Sequence, residues 1–387
     1  SLTSLGNAYG SLGEYQKAIE FHQQSLAIKR EIGDRGGEAK SYGNLGVVYY
    51  LLGKYQKAIE FHQQSLAITL EIGDRGGEAA SYNNLGLVYK FLGEYQKAIE
   101  FYQQSLEITR EIDDQGGEAA SYNNLGIVYD SLGEYQKAIE FYQQSLAIER
   151  KIGNRKGEAY SYMGLGNVYD SLGEYQKAIE FHQQSLAITR EIGDRGGEAY
   201  SYNNLGIVYD SLGEYQKAIE FHQQSLAIKR EIGDRWGEAA SYNNLGSVYY
   251  SLGKYQKAIE FHQQSLAIKR EIGDRGGEAN SYNNLGNVYR SLGEYQKAIE
   301  FYQQSLAITR KIGDRWGEAA SYNNLGNAYK SLGEYQKAIE FHQQSLAIKR
   351  EIGDRGGEAK SYGNLGTVYG SLGEYQKAIE FYQQSLA

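Results

Sequence analysis

A seven-residue stretch, Tyr-Gln-Lys-Ala-Ile-Glu-Phe, begins at Tyr15 and returns unchanged every 40 residues until its last copy begins at Tyr375. Ten identical copies at one spacing indicate that a single structural repeat has been duplicated along the 387-residue chain. In such an array each repeat contacts only its neighbours, so the chain grows by stacking instead of dividing into separate globular domains. The period therefore constrains the fold more strongly than the length or the composition does.

Apolar residues within one repeat recur at helical spacing. Tyr42, Leu45 and Tyr49 lie three and four residues apart, which places them on one face of a helix. The pattern predicts two helices in this repeat, helix A over about 38–52 and helix B over about 54–72. The chain has no proline to break these helices and no alternation typical of a strand. The sequence thus predicts an all-α chain of twenty helices.

Glycines mark the ends of the predicted helices. Gly53 and Gly73 stand where a left-handed residue commonly ends a helix, and residues 74–78 are predicted to turn the chain into the next helix A. The predicted repeats of this single array are approximately 1–37, 38–77, 78–117, 118–157, 158–197, 198–237, 238–277, 278–317, 318–357 and 358–387. Both end repeats are incomplete, so their uncovered faces predict end-to-end self-association or coverage by flanking sequence.

The composition argues against several classes of function. A net charge of -8 is unfavourable for a protein that must neutralise phosphates, so no nucleic-acid partner is expected. The absence of cysteine excludes a disulfide framework and thiolate metal sites. No apolar run approaches the ~20 residues that span a bilayer, so no membrane partner is expected. A cytoplasmic location is predicted because it fits the absence of cysteine, although many secreted proteins fit it as well.

The histidines are predicted to fill space rather than to bind a metal. They all occupy one repeat position: His22, His62, His182, His222, His262 and His342. Tyr102 and Tyr142 hold the same position in other copies, and a position that accepts tyrosine is not a metal ligand. No copy combines a nucleophile, a base and an orienting partner that the other copies lack. Neither an enzymatic activity nor a cofactor is therefore expected.

The residues Tyr42, Leu45, Gly46 and Tyr49 of helix A, with Ala58 of helix B, resemble the signature of the tetratricopeptide repeat. The resemblance covers essentially the whole chain and implies a right-handed α-α superhelix of ten helix-turn-helix repeats. It also implies that the helices A line a concave groove, where a protein or an extended peptide binds. The period of 40 and the missing proline after helix B depart from the common pattern. This longer repeat resembles those of kinesin light chains, Pins-type spindle adaptors and bacterial, cyanobacterial-like arrays fused to NTPase or protease domains.

The copies differ most at three positions of helix A, and these positions predict where a ligand is recognised. Residues that fold the repeat should not vary between copies, whereas residues that contact a ligand can; random drift of exposed positions is the alternative explanation. The first variable position includes Tyr160 and Tyr200. The third supplies these candidates: Tyr50, Lys90, Asp130, Asp170, Asp210, Tyr250, Arg290 and Lys330. Its aspartates make the middle of the array acidic, and Arg290 and Lys330 make the later part basic, which predicts a ligand with segments of opposite charge.

Residues 40, 43, 47 and 50 form one stripe at helical spacing, in which 40, 47 and 50 are the variable positions and the position of residue 43 is usually asparagine in the other repeats. The predicted ligand-binding amides are Asn83, Asn123, Asn203, Asn243, Asn283 and Asn323. An amide offers two donors and an acceptor, which suit the backbone of an extended peptide. In the adaptors that the chain resembles, such asparagines form a ladder along the bound chain. A solvated polar face is the alternative, and the adjacent residue, as at Asn84, is predicted to make an internal contact.

These patterns predict a scaffold that binds an extended peptide or partner segment along its helices A. Two other functions stay open on the sequence alone. In the first, the array is the sensor or regulatory arm of a larger signalling protein. In the second, it is a structural spacer that stacks on itself. Trp236 and Trp316 replace a glycine between repeats, and they are predicted to pack onto an adjacent helix, with anchoring of a partner as the alternative.

Overall fold

The computed structural model describes residues 1–386, and over that range the chain consists of helices joined by short turns, without a strand. It forms two compact units, Ser1–Ser201 and a second that begins at Tyr202. The helices A are α1 (Leu2–Ser11), α3 (Arg35–Leu51), α5 (Arg75–Phe91), α7 (Gln115–Ser131), α9 (Arg155–Ser171), α11 (Arg195–Ser211), α13 (Arg235–Ser251), α15 (Arg275–Ser291), α17 (Arg315–Ser331) and α19 (Arg355–Ser371). The helices B are α2 (Tyr15–Glu31), α4 (Tyr55–Ile72), α6 (Tyr95–Glu111), α8 (Tyr135–Ile152), α10 (Tyr175–Glu191), α12 (Tyr215–Glu231), α14 (Tyr255–Glu271), α16 (Tyr295–Ile312), α18 (Tyr335–Glu351) and α20 (Tyr375–Leu386).

An aspartate starts helix α3. The carboxylate of Asp34 accepts a hydrogen bond from the backbone N–H of Gly37 at 2.8 Å, and its carbonyl accepts from Glu38 at 2.8 Å. This cap satisfies backbone donors that have no partner within the helix, so the helix begins directly after Asp34. The predicted start near residue 38 was therefore wrong by one turn. The two glycines that precede Glu38 belong to the first helical turn and not to a loop.

The predicted left-handed turns at the helix ends are confirmed. Gly53 and Gly73 both have a φ of 69°, a conformation that glycine adopts without crowding from a side chain. Asp113 occupies the equivalent place after α6 with a φ of 55°, and it is the one non-glycine residue with positive φ in residues 1–386. An L-residue in this conformation crowds its own backbone, although aspartate tolerates it better than most.

Replacement of Asp113 by glycine is expected to raise the free energy of unfolding by about 0.5–1 kcal/mol, because glycine removes that crowding. Urea unfolding of the variant and the parent chain measures the change. The reverse substitution, Gly33→Asp at a φ of 71°, is expected to lower the stability by a comparable amount. Unchanged unfolding midpoints in both variants would contradict the expectation.

The core of each compact unit lies between consecutive helices. In the first unit Leu45 of α3 is fully buried, and Tyr49 stacks on Phe61 of α4 with ring centroids 5.2 Å apart. In the second unit Tyr249 stacks on Phe261 at 5.3 Å in the same way. The predicted packing face of helix A is thus buried in both units, and the predicted all-α class of helix-turn-helix repeats is confirmed.

A glycine in helix A lets a ring from helix B come close. The imidazole of His62 is 1% exposed and lies across Gly46, where an added Cβ would stand 2.5 Å from the ring. Tyr102 lies against Gly86 in the same way. The prediction that this position fills space is confirmed by its burial, and burial lowers the pKa of His62 to about 4. The described residues contain no group of three or more histidine or carboxylate side chains that could hold a metal ion.

Candidate functional site

The predicted stripe runs along each helix A from solvent to the interface with the next repeat. Tyr160 and Tyr200, at its outer edge, are 39% and 51% exposed. Asn83 and Lys90, on the same stripe of α5, are half-buried. The outer residues of the stripe are therefore open to solvent, whereas Asn83 and Lys90 are partly covered by neighbouring side chains.

The asparagines are linked from one repeat to the next. In the first compact unit Asn124 Nδ2 donates to Asn83 Oδ1 at 2.7 Å. In the second unit the same bond joins Asn244 to Asn203 (2.9 Å), Asn284 to Asn243 (2.8 Å), Asn324 to Asn283 (3.4 Å) and Asn364 to Asn323 (2.7 Å). The internal contact predicted for the second asparagine of each pair is confirmed for these residues. Its partner, the candidate amide of the preceding repeat, was not predicted.

This hydrogen bond determines which polar group of the candidate amide is left to bind a ligand. The oxygen of Asn83 accepts from Asn124, so the Nδ2 group is the part left to bind something else. Within residues 1–386, Asn83 Nδ2 has no protein hydrogen-bond partner. An N–H group of this kind suits the carbonyl oxygens of an extended peptide, which recur along its backbone.

Asn123 differs from the other candidates because the next repeat carries Gly164 where a second asparagine usually stands. The ring of Tyr142 occupies the space beside Gly164, and an added Cβ would overlap it. The same ring also lies against Gly126. The amide of Asn123 is consequently left without a side-chain partner in the part of the chain that the structure describes, and it lines a cavity.

The tyrosines at the third variable position pack between repeats. The ring of Tyr50 lies 6.1 Å from that of Tyr55 and 5.1 Å from that of Phe91 in the next helix A. In the second unit the hydroxyl of Tyr250 lies 2.9 Å from Ser291 Oγ. These contacts give the two tyrosines a structural role, and their contact with a ligand stays a prediction.

The charged residues at the same position are partly desolvated. Burial raises the pKa of Asp130 and of Asp170, and it lowers the pKa of Lys90. In the second unit burial raises the pKa of Asp210, and Arg290 Nε is buried without a hydrogen-bond partner in the described residues. Lys330 is half-buried. Charges in such positions respond strongly to a charged ligand, although the predicted order of acidic and basic segments stays a prediction.

The two tryptophans do not pack as predicted. Trp236 and Trp316 are each 60% exposed, at the second residue of α13 and of α17. The prediction that they lie against an adjacent helix was wrong. The first turn of each helix directs this position outward, whereas the following Gly237 and Glu238 face the interior.

Several cavities open on the helix A surface of the first compact unit, including two that contain residues of the predicted stripe. The larger, about 560 Å³, is lined in part by Asn44, Ser65, Thr69 and Asn84. The smaller, about 280 Å³, contains the predicted residues Asn123 and Tyr160 together with Glu149 from helix B. Comparison of the helices A alone missed the helix B residues that close both cavities.

The paired helices define a class of repeat protein, and comparisons with known proteins agree with it. The tetratricopeptide repeat profile matches residues 1–71, 77–151, 157–231, 237–311 and 317–387. The chain belongs to the tetratricopeptide repeat family. Repeats of this family generally mediate protein–protein interaction, and the fold is typically non-catalytic.

The relatives found by sequence share only a short segment. Over 43 residues the chain is 56% identical to G-protein-signaling modulator 1 of Mus musculus, and 54% identical to that of Homo sapiens. The segment is 11% of this chain and spans only 6% of the length of each relative.

Two solved structures share the fold along most of the chain. The first is a signal transduction ATPase with numerous domains and a tetratricopeptide repeat sensor, from Pyrococcus horikoshii. It superposes with a TM-score of 0.62 at 18% identity, covering 86% of this chain and 52% of that one. The apo form of RapI superposes with a TM-score of 0.56 at 19% identity, covering 72% of this chain and 99% of that one. At these identities the likeness shows the fold alone. No helix in residues 1–386 is long and apolar enough to cross a bilayer.

Proposed function

We propose that the chain is a protein-interaction scaffold that binds an extended peptide or partner segment along its helices A. The observation that carries the proposal is the orientation of the asparagine amides. In each linked pair the candidate's oxygen is held by the next repeat, and its N–H group is left to donate at the base of the variable stripe. A row of fixed donors pre-organised in this way loses little entropy when a peptide backbone binds.

Conversion of four candidate amides to carboxylates separates ligand binding from folding. Aspartate keeps the oxygen that accepts from the next repeat but removes the N–H donors. The variant carries Asn83→Asp, Asn203→Asp, Asn243→Asp and Asn283→Asp. Peptides selected from a random displayed library on the parent chain are expected to bind it at least about tenfold more weakly, because each lost hydrogen bond contributes about 0.5–1.5 kcal/mol. Fluorescence anisotropy of the labelled peptides measures the affinity.

A matched control adds the same charge away from the stripe. Gln103, Gln223, Gln263 and Gln303 are exposed on the helices B of the same four repeats, and Gln→Glu at each adds four charges there. This control is expected to bind the selected peptides with the parent affinity. Equal affinity of the groove variant and the control, or a failure of the parent chain to select any peptide, would count against the proposal.

The placement in a cytoplasmic compartment, the sensor arm and the self-stacking spacer stay predictions. The sensor arm requires a catalytic domain fused to the array. Light scattering over a range of concentrations tests self-association, since a monomer at every concentration would exclude it.

A further inference from the structure

One repeat in the first compact unit carries a buried carboxylate where the other repeats carry lysine or threonine. Glu149 lies near the end of α8 and is 7% exposed, and its equivalents include Thr109 and Thr189. One of its oxygens, Oε2, is buried without a hydrogen-bond partner in the described residues. A buried carboxylate with an unsatisfied oxygen is unfavourable unless something else compensates its charge.

The residue that caps the helix after Glu149 differs from its equivalents in the other repeats. Asn154 caps the next helix A, and its side chain lies close enough to the Glu149 carboxyl to oppose the rise of the pKa of that group. Other repeats have aspartate at this place: Asp34, Asp74, Asp114, Asp194, Asp234, Asp274, Asp314 and Asp354. An aspartate there would set two carboxylates against each other. Burial still raises the pKa of Glu149, and the neighbouring Asn154 side chain only partly offsets this rise.

The second compact unit shows how the position of Glu149 is packed when its side chain is positively charged. Lys229 and Lys269 stand where Glu149 stands, and both are buried. Their ammonium groups donate to Ser241 Oγ at 3.3 Å and to Ser281 Oγ at 3.1 Å. The space between helix B and the next helix A therefore accommodates an ammonium group from the chain itself. In the Glu149 repeat no lysine of the chain fills it.

A cavity of about 280 Å³ stands open there instead. Asn123, Glu149, Lys156 and Tyr160 are among its lining residues. The ammonium of Lys156 lies 3.5 Å from Asp194 Oδ2 and 5.7 Å from the centre of the Tyr160 ring, so it is held at the rim by another carboxylate. Lys156 thus leaves the Glu149 carboxylate uncompensated in this structure.

We propose that this cavity binds the ammonium group of a lysine side chain from the bound peptide. The Glu149 carboxylate and the Asn123 oxygen accept its hydrogen bonds, and the Tyr160 ring flanks its alkyl stem. The cavity is smaller than the roughly 300–1,000 Å³ of a site for a drug-sized ligand, which suits a single side chain. The inference rests on the proposed function, because the lysine enters from the helix A surface, and it sets the register of the peptide on the repeats.

The probe for this site is n-butylammonium, which has the length and charge of a lysine side chain. NMR spectra of the full chain labelled with ¹³C at the glutamate carboxyl report the Glu149 signal, which is assigned by its loss in Glu149→Gln. Addition of n-butylammonium is expected to shift this signal and to lower the Glu149 pKa, whereas neutral n-butanol is expected to do neither.

Two variants and a control isolate the carboxylate. Glu149→Gln is expected to weaken probe binding, followed at the Tyr160 ring signals, by about ten- to a hundredfold. Glu149→Thr with Asn154→Asp copies the Thr189 and Asp194 pair of the next repeat, so it preserves a combination that the chain already folds. It is expected to lose binding to the same extent. Glu107→Gln, which changes an exposed glutamate of a neighbouring helix B, is expected to bind as the parent does.

Either of two results with the probe would overturn the proposal. One is equal probe binding by the parent and Glu149→Gln. The other is a Glu149 pKa that does not change when the probe is added but rises in Lys156→Met, because Lys156 would then be the counter-ion of Glu149. Selected peptides separate this outcome from the failure of the proposed function. If the selected peptides bind the parent chain and lose no affinity when each lysine is replaced by norleucine, the proposed peptide binding along the helices A stands and the lysine site is excluded.

Discussion

Acidification from pH about 7 to pH about 5 is expected to destabilise the chain by about 2 kcal/mol for each fully buried histidine. Burial lowers the pKa to about 4 in five of them: His62, His182, His222, His262 and His342. The folded chain holds these imidazoles neutral, whereas the unfolded chain takes up protons below about pH 6.5. Their contribution to stability is therefore complete above about pH 6.5 and is lost as the pH falls towards 4. Urea unfolding at the two pH values measures the loss.

The chain itself provides the control for this prediction. Tyr102, Tyr142 and Tyr302 hold the histidine position in other repeats, and all three are buried there. A variant with His→Tyr at the five positions is expected to keep most of its stability between pH 7 and pH 5, because no imidazole remains to be protonated on unfolding. The same loss of stability in this variant and in the parent would show that carboxylates, and not the histidines, cause it.

Replacement of Gly46 by alanine is expected to lower the free energy of unfolding by about 1–3 kcal/mol, although alanine is the better helix former. The added Cβ would stand 2.5 Å from the His62 imidazole, which is packed on all sides and cannot move away freely. Gly36 lies in the same helix, and a Cβ there meets its nearest atom at 3.9 Å. Gly36→Ala is therefore expected to raise the stability by about 0.5–1 kcal/mol. Urea unfolding of both variants measures these opposite effects.

A second substitution tests the cause of that loss. His62→Ala in the Gly46→Ala background removes the ring that the new methyl group would strike. The cost of Gly46→Ala is expected to be smaller in the His62→Ala background than in the parent, as a double-mutant cycle reports for residues in contact. Additive losses in the cycle would mean that the two residues do not act through their contact.

The fold was predictable because its buried faces depend on spacing within one repeat. The period of Tyr42, Leu45 and Tyr49 is set by the geometry of a single helix, so it needs no knowledge of the neighbours. Gly53 was predictable for the same reason, since a left-handed turn is a local property of the backbone. The start of helix α3 was not predictable. Two glycines favour a loop, but the Asp34 cap stabilises the helical turn that contains them.

The site was predictable only in outline, because its decisive contacts join different repeats. Sequence spacing places Asn83 on the stripe, but the bond from Asn124 depends on how neighbouring helices A pack. The sequence does contain one sign of the Glu149 cavity. The repeat that carries Glu149 is also the repeat in which Asn154 replaces the usual aspartate. Paired changes between copies, at positions that comparison of one helix alone ignores, indicate this contact.

Near-identical repeats carry a hazard while the chain folds, because a helix B can dock against a helix A from the wrong copy. The contact of Tyr142 with Gly164 bears on such pairings. Most other helices A carry asparagine where α9 has Gly164, and the Cβ of that asparagine would overlap the Tyr142 ring as it lies in the structure. Tyr102 and Tyr302 precede helices A that carry Asn124 and Asn324 at the same place. The position of the Tyr142 ring, and not tyrosine as such, therefore favours the pairing of α8 with α9.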